Sequence, residues 1–147
     1  MTSRRVAWLC IVILWLVGLI FRAGPLVNQN GRLRKQWVTE DGYLMLTIAR
    51  NISLGRGKGT IATNGTQPLV TMIYAAGFAL SDGERDQGIV FAHVWQILVS
   101  TAAALAIFAL ASELFRNSDH GALIAGWSSG LWYSSPILMP HSMNHLE

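Results

Sequence analysis

The chain contains little charge. Charged residues make up 13% of its 147 residues, against roughly 25% in an average soluble domain, whereas hydrophobic residues make up 52%. This balance excludes an ordinary water-soluble domain and predicts a protein that is solvated mainly by lipid. The basic residues behind the net charge of +3 are scattered among long apolar runs, so the sequence predicts no nucleic-acid site.

Cysteine is nearly absent as well. The single cysteine, Cys10, lies inside an apolar run and is interpreted as a small hydrophobic residue. One cysteine can form no intrachain bridge, so a fold stapled by internal disulfides is excluded. The chain also shows no internal repeat and no low-complexity tract.

Four apolar runs dominate the sequence and predict the fold class, an all-α, polytopic membrane helix bundle. The predicted helices cover residues 6–22, 68–81, 88–115 and 122–138. The polar breaks between the last three are short, so these helices are expected to be antiparallel neighbours. No closing helix or tail precedes the end at Glu147, and residues 1–147 are therefore expected to be the N-terminal part of one larger membrane domain.

Arg4 and Arg5 precede the first apolar run and indicate its orientation. Positive charges before a first helix hold the N-terminus in the cytoplasm, so this run is interpreted as an uncleaved signal anchor. The polar loop 23–67 is then expected on the outer face of the membrane. Apolar residues at helical spacing in this loop predict an amphipathic helix that lies on the membrane surface, and they are Leu44, Met45, Ile48, Ala49 and Ile52.

The run from Pro68 to Leu80 is short for a membrane span. Its 13 residues rise about 20 Å as a helix, whereas the hydrocarbon core of a bilayer is about 30 Å thick. The run either crosses in a thinned bilayer or returns to the outer face as a re-entrant segment. We expect the shortened span, because the segment Ser81–Gln87 is too polar to stop inside lipid. If the run spans, Arg116 lies outside and Glu147 lies in the cytoplasm. If the run is re-entrant, Arg116 lies in the cytoplasm and Glu147 lies outside.

Two adjacent carboxylates open the amphipathic helix. By themselves they are explained by the helix dipole, which favours acids in a first turn. A longer pattern follows, and it reads Glu40-Asp41-Gly42-Tyr43, then Ile48-Ala49-Arg50-Asn51-Ile52, Gly55-Arg56-Gly57 and Thr63-Asn64-Gly65-Thr66-Gln67-Pro68-Leu69. In order and spacing it resembles the first outer loop of GT-C membrane glycosyltransferases, the polyprenyl-phosphate-sugar enzymes that include the protein mannosyltransferases and aminoarabinose transferases.

The end of the chain is similar to the same family. Asn144-His145-Leu146-Glu147 looks like the "NGLE" or "GMET" segment that introduces a later helix in these proteins, with His145 in place of the usual glycine. His141 and His145 are spaced to share one helical face, and Glu147 is a third candidate metal ligand in a pattern of low specificity. These residues form a candidate second element of the active site: His141, Asn144, His145 and Glu147.

The resemblance implies an enzyme of the bacterial inner membrane that moves a sugar from a polyprenyl-phosphate-linked donor to an acceptor at the outer face. It implies Asp41 as the base that takes the acceptor's proton, with Glu40 assisting or binding a divalent metal. The residues implied in binding the donor phosphate or sugar are Tyr43, Arg50, Arg56, Lys58 and Asn64. The sugar, the acceptor and any metal requirement stay open, and this four-segment piece alone is expected to be inactive.

A second interpretation also stays open. In it the chain is a small non-catalytic membrane protein, such as an assembly factor or a transporter fragment, and its two acids only cap a helix. Arg50, Arg56 and Lys58 are then solvated cations of a loop or of the membrane interface. Tyr43 is an interfacial anchor in the same interpretation.

Overall fold

A computed structural model describes residues 3–27, 40–57 and 67–136 of the chain. About 85% of these residues are helical and none is in a strand, which confirms the all-α class for the described part. The helices there are α1 (Ser3–Val27), α2 (Glu40–Ser53), α3 (Pro68–Leu80), α4 (Arg85–Leu114) and α5 (Gly121–Ser134).

Two of these helices, α1 and α4, are long and apolar enough to cross a membrane. Only 17% of the residues in the most apolar stretch of each are buried, whereas the core helix of a soluble protein is mostly buried. Their uncovered apolar surface is what a helix facing lipid requires. The other two predicted spans form helices of 13 and 14 residues, so the described residues support two spans rather than four.

The helices extend beyond the apolar runs that predicted them. The run 6–22 becomes α1 from Ser3 to Val27 and includes Pro25 near its end, while the run 88–115 begins at Arg85. Hydropathy marks only the part of a helix that avoids water, and the backbone ladder continues into polar flanks until a turn ends it. The run 122–138 stops being helical earlier, at Ser134, because Ser135 has extended backbone.

The chain divides into two compact units. Unit 1 comprises Met1–Pro25 and Ile97–Pro140, and unit 2 comprises Leu26–Gln96 and His141–Glu147. The helix α4 contributes its first part to unit 2 and its remainder to unit 1.

In unit 1, glycines bring α1 and α5 together as parallel neighbours. A Cβ on Gly126 would lie 2.8 Å from the Ile11 side chain, and a Cβ on Gly18 would lie 2.7 Å from the Tyr133 carbonyl oxygen. The contacts advance in the same direction along both helices, which makes the pair parallel. Small residues at such points let helix backbones approach closely.

The second part of α4 packs antiparallel to α5, as expected for two helices joined by a short break. The Thr101 and Tyr133 hydroxyls lie 2.8 Å apart and share a hydrogen bond. At the other end of the pair, the Gly121 amide donates to Ser118 O at 3.0 Å, and Gly121 packs against Phe115 in the connecting turn. The predicted antiparallel arrangement is confirmed for this pair.

In unit 2, α3 and the start of α4 form an antiparallel helical hairpin. Gly77 of α3 receives the Phe91 ring, and Gly88 of α4 receives the Phe78 ring, because neither glycine has a side chain in the way. The turn Ser81–Glu84 closes the hairpin with backbone hydrogen bonds. The sequence expectation of antiparallel neighbours is confirmed here too.

The amphipathic helix predicted in the outer loop is present as α2, but its apolar face packs against protein. Met45, Ile48 and Ala49 are each 2% exposed or less. They belong to or adjoin a core that also contains Leu46, Tyr74, Ala75, Phe78, Ile89 and Ala92. The expectation that this face lies on lipid is therefore wrong, because α3 and α4 supply the apolar surface that covers it.

Arg4 and Arg116 lie at the same end of unit 1. They line one cavity, so α1 begins at the end of that unit where α4 ends. If α1 and α4 each cross a membrane once, this arrangement returns the chain to its starting side, whereas a further crossing by α3 would put Arg116 opposite Arg4. The 13-residue helix α3, about 20 Å long, is short of a hydrocarbon core of about 30 Å, and the shortened span of Pro68–Leu80 stays a prediction.

Candidate functional site

The acid pair of the sequence pattern opens α2. The helix begins at Glu40, so Glu40 and Asp41 form its first turn, where carboxylates complement the helix dipole. The positions of these two side chains lie outside what the structure describes. The structure does describe the side chains of α2 from Gly42 onward.

One face of α2 borders a cavity of about 270 Å³ in unit 2. Polar residues on α2 and at the start of α4 line part of it, and they are Tyr43, Thr47, Arg50, Asn51 and Arg85. The apolar part of the lining comes from Leu46, Phe78 and Ile89. The α2 residues recur three or four positions apart, so a single helix face presents them together.

Arg50 fixes the side of the cavity next to the α3–α4 turn. Its Nε donates a hydrogen bond to the Gly83 carbonyl oxygen at 2.6 Å. Gly83 has a φ of 72°, in the region that favours glycine, and a Cβ there would lie 2.6 Å from a Leu54 methyl group. The backbone conformation of the turn where it approaches the end of α2 therefore favours glycine at this position.

Arg85, the first residue of α4, brings a second guanidinium to the same cavity. Among the described residues that line the cavity, the formal charges are those of Arg50 and Arg85, and none is negative. Guanidinium groups present paired N–H donors that match the oxygens of a phosphate or carboxylate. The cavity is thus complementary to an anionic group with an apolar neighbour.

The structure brings together some of the predicted site residues. Tyr43 and Arg50 line the cavity, as the expected donor-binding role requires. Arg56 lies in the turn after α2, is exposed and is not among the lining residues. The remaining predicted residues lie outside the described ranges, and they are Lys58, Asn64, His141, Asn144, His145 and Glu147.

Three polar residues of the cavity were not predicted as site residues. Asn51 and Thr47 share the helix face of Tyr43 and Arg50, so the helical period of the motif was a usable signal for them. Arg85 carries no such signal in the sequence. It reaches the cavity because the α3–α4 turn brings the start of α4 beside α2.

Metal ligands form no cluster in the part of the chain that the structure describes. Within residues 3–27, 40–57 and 67–136, no three histidine, cysteine or acidic residues are placed to hold a metal ion. The predicted ligands His141, His145 and Glu147 lie outside these ranges. The metal prediction therefore stays a prediction.

Two buried polar residues of α4 lie in unit 2, and they are His93 and Gln96. The Gln96 amide donates to the Tyr74 hydroxyl at 2.6 Å. This contact joins α4 to α3, and neither His93 nor Gln96 lines the cavity.

Comparisons with protein-family models, with curated proteins and with solved structures find no match for this chain.

Proposed function

We propose that this chain forms the donor-side part of a GT-C type membrane glycosyltransferase, which moves a sugar from a polyprenyl-phosphate-linked donor to an acceptor at the outer face of the membrane. The cavity beside α2 is the observation that carries this proposal. Arg50 and Arg85 give it two guanidinium groups, and the acid pair opens the same helix.

The chemistry of transfer needs both kinds of group. The acceptor oxygen or nitrogen forms a bond to the anomeric carbon, while the bond from that carbon to the lipid phosphate breaks and its electron pair stays on the phosphate oxygen. A base must take the acceptor's proton, and cations must stabilise the departing phosphate. In the proposal Asp41 is the base, Glu40 assists it, and Arg50 and Arg85 hold the phosphate.

The order of residues along α2 suits this division of roles. The acid pair opens α2, and Arg50 follows Asp41 by nine residues, about 14 Å along the helix axis. Tyr43, Thr47 and Asn51 lie between or beside them and offer hydroxyl and amide groups to a sugar.

The outer-face location is part of the proposal. If Arg4 and Arg5 hold the N-terminus inside and α1 crosses the membrane once, α2 comes to lie on the outer side. A lipid-linked phosphate at that membrane surface is the donor that the proposal requires.

Binding and chemistry are tested with two variants of the full-length, membrane-embedded enzyme. Arg85→Gln should lower retention of a polyprenyl monophosphate by about ten-fold, because it removes one charge-assisted phosphate contact. Asp41→Asn should leave that retention intact and abolish transfer from a polyprenyl-phosphate-linked sugar. Arg85 is preferred to Arg50 for this test, since Arg50 also fixes the Gly83 turn.

The matched control is Arg5→Gln, which removes the same charge at an exposed position of α1. It should change neither lipid retention nor transfer. Equal loss of retention in Arg5→Gln and Arg85→Gln would reject the cavity as the phosphate site. Normal transfer by Asp41→Asn would reject the assigned base.

A further inference from the structure

A second cavity, of about 440 Å³, lies at the end of unit 1 where α1 and α5 begin and α4 ends. Charged residues of α1, of the end of α4 and of the α4–α5 turn line it, and they are Arg4, Glu113, Arg116 and Asp119. Ser112 and Ser118 add hydroxyl groups. This cavity shares no residue with the one beside α2.

The cavity lies where the apolar helices give way to polar chain. Arg4 lies two residues before the apolar run of α1 begins at Val6, and α4 ends at Leu114. Leu110 and Leu114 are 62% and 71% exposed, so apolar surface continues along α4 below the cavity. A helix that crosses a membrane meets the lipid headgroups at its ends, and a ligand here would have its acyl chains beside α4.

The charges of the lining are balanced. Arg4 and Arg116 carry two positive charges, and Glu113 and Asp119 carry two negative ones, with Arg116 Nη1 3.1 Å from Glu113 Oε1. A purely anionic headgroup would meet two carboxylates, and a purely cationic one would meet two guanidinium groups. A zwitterionic headgroup matches both signs, because complementary potentials favour the correct partner and repel others.

We propose that this cavity binds the headgroup of phosphatidylethanolamine, with its phosphate at Arg4 and Arg116 and its ammonium at Glu113 and Asp119. The ammonium has N–H groups to donate to carboxylates, whereas the methylated nitrogen of phosphatidylcholine has none. Phosphatidylglycerol lacks the cation altogether. This site is independent of the proposed glycosyl transfer.

The test is a competition among lipids for the full chain in detergent, read by native mass spectrometry. Phosphatidylethanolamine, phosphatidylcholine and phosphatidylglycerol with identical acyl chains are offered at equal concentration. Phosphatidylethanolamine should be retained roughly two- to five-fold over either competitor, a modest factor because exposed charged contacts are screened by water. Equal retention of the three lipids, or a preference for either competitor, would overturn the proposal.

Variants locate the site. Arg4→Gln and Asp119→Asn should each reduce the preference for phosphatidylethanolamine, and Arg5→Gln should preserve it, because Arg5 is exposed one position away but is not among the lining residues. An equal effect of Arg4→Gln and Arg5→Gln would overturn the assignment. The wild-type competition decides the selectivity even if a variant folds poorly. Soluble phosphoethanolamine at the same concentration should not displace the lipid, and displacement by it would reject a lipid ligand.

Discussion

Arg22 is a cation that the fold has enclosed near the end of an apolar helix. None of its surface is exposed, and its Nη1 donates hydrogen bonds to the carbonyl oxygens of Gly18 at 3.2 Å and Tyr133 at 2.5 Å. The guanidinium carbon lies 4.2 Å from the centre of the Tyr133 ring. Tyr133 belongs to the last turn of α5, where carbonyl groups have no partner within the helix. Arg22 therefore caps α5 and joins it to α1.

Replacing Arg22 with methionine should destabilise unit 1. Methionine has a similar reach but no N–H donor, so the Tyr133 carbonyl would lose its partner in an apolar setting. We expect the free energy of unfolding to fall by about 1 to 3 kcal/mol, the usual cost of a buried polar group left unsatisfied. The measurement is the melting temperature of the purified protein in detergent.

Arg5→Met is the control for this change, because Arg5 is on the same helix and exposed. It should leave the melting temperature nearly unchanged. Equal melting temperatures for Arg22→Met and Arg5→Met would show that Arg22 does not stabilise the contact of α1 with α5.

Only some residues of the candidate site could be predicted from the sequence. Tyr43 and Arg50 were predictable because they belong to one helical motif. Arg85 was not, because it lines the same cavity as Arg50 only through the α3–α4 turn that brings the start of α4 beside α2. The contact of Arg22 with Tyr133 could not be predicted from the sequence either, because it joins residues 111 positions apart.

At the scale of whole helices, Gly18 marks a point where α1 approaches the backbone of α5. A Cβ on Gly18 would lie 2.7 Å from both the Tyr133 ring and its carbonyl oxygen, and 3.0 Å from its carbonyl carbon. Backbone atoms cannot move aside as the end of a flexible side chain can. Gly24 of the same helix has no atom within 4 Å of its Cβ position.

This contrast predicts opposite effects for the same substitution at two positions of α1. Gly24→Ala should leave stability unchanged or raise it by up to about 1 kcal/mol, because alanine is the better helix former. Gly18→Ala should lower stability by about 1 to 3 kcal/mol, because the added methyl group overpacks the contact with α5. Melting temperatures of the two variants, compared with the unchanged protein, measure the difference. Similar shifts in the same direction would contradict the close approach.

The positions of the helices along the chain were the most predictable part of the fold. The surfaces against which the helices pack were the least predictable part. Long apolar runs indicated α1 and α4, and a period of 3.6 residues indicated α2. The pattern of α2 could not reveal which apolar surface would cover it, because lipid and a neighbouring helix satisfy Met45 and Ile48 equally well. For α3, composition favours a membrane span while its length of 13 residues opposes one, so neither property alone decides its place in the membrane.

At the scale of the whole molecule, two crossings, by α1 and α4, would explain the placement of the positive charges. Arg4, Arg5 and Arg116 would then share one side of the membrane, as the positive-inside rule prefers. Loop 23–67 contains several cations and would lie on the other side. We attribute this exception to the first helix, whose preceding arginines usually dominate orientation.

Cysteine labelling tests this arrangement in intact cells, in a Cys10→Ala background that removes the single native thiol. Arg56→Cys and Asn117→Cys introduce thiols at exposed positions after α2 and after α4. A membrane-impermeant maleimide should label Arg56→Cys from outside, because α1 crosses once before it. It should label Asn117→Cys only after the inner face is opened, because α4 crosses back. Arg5→Cys is the inner-face reference and should behave as Asn117→Cys does. Labelling of both Arg56→Cys and Asn117→Cys from outside would mean that α3 crosses after all, and labelling of Arg56→Cys only in opened cells would reject an outer-face transferase.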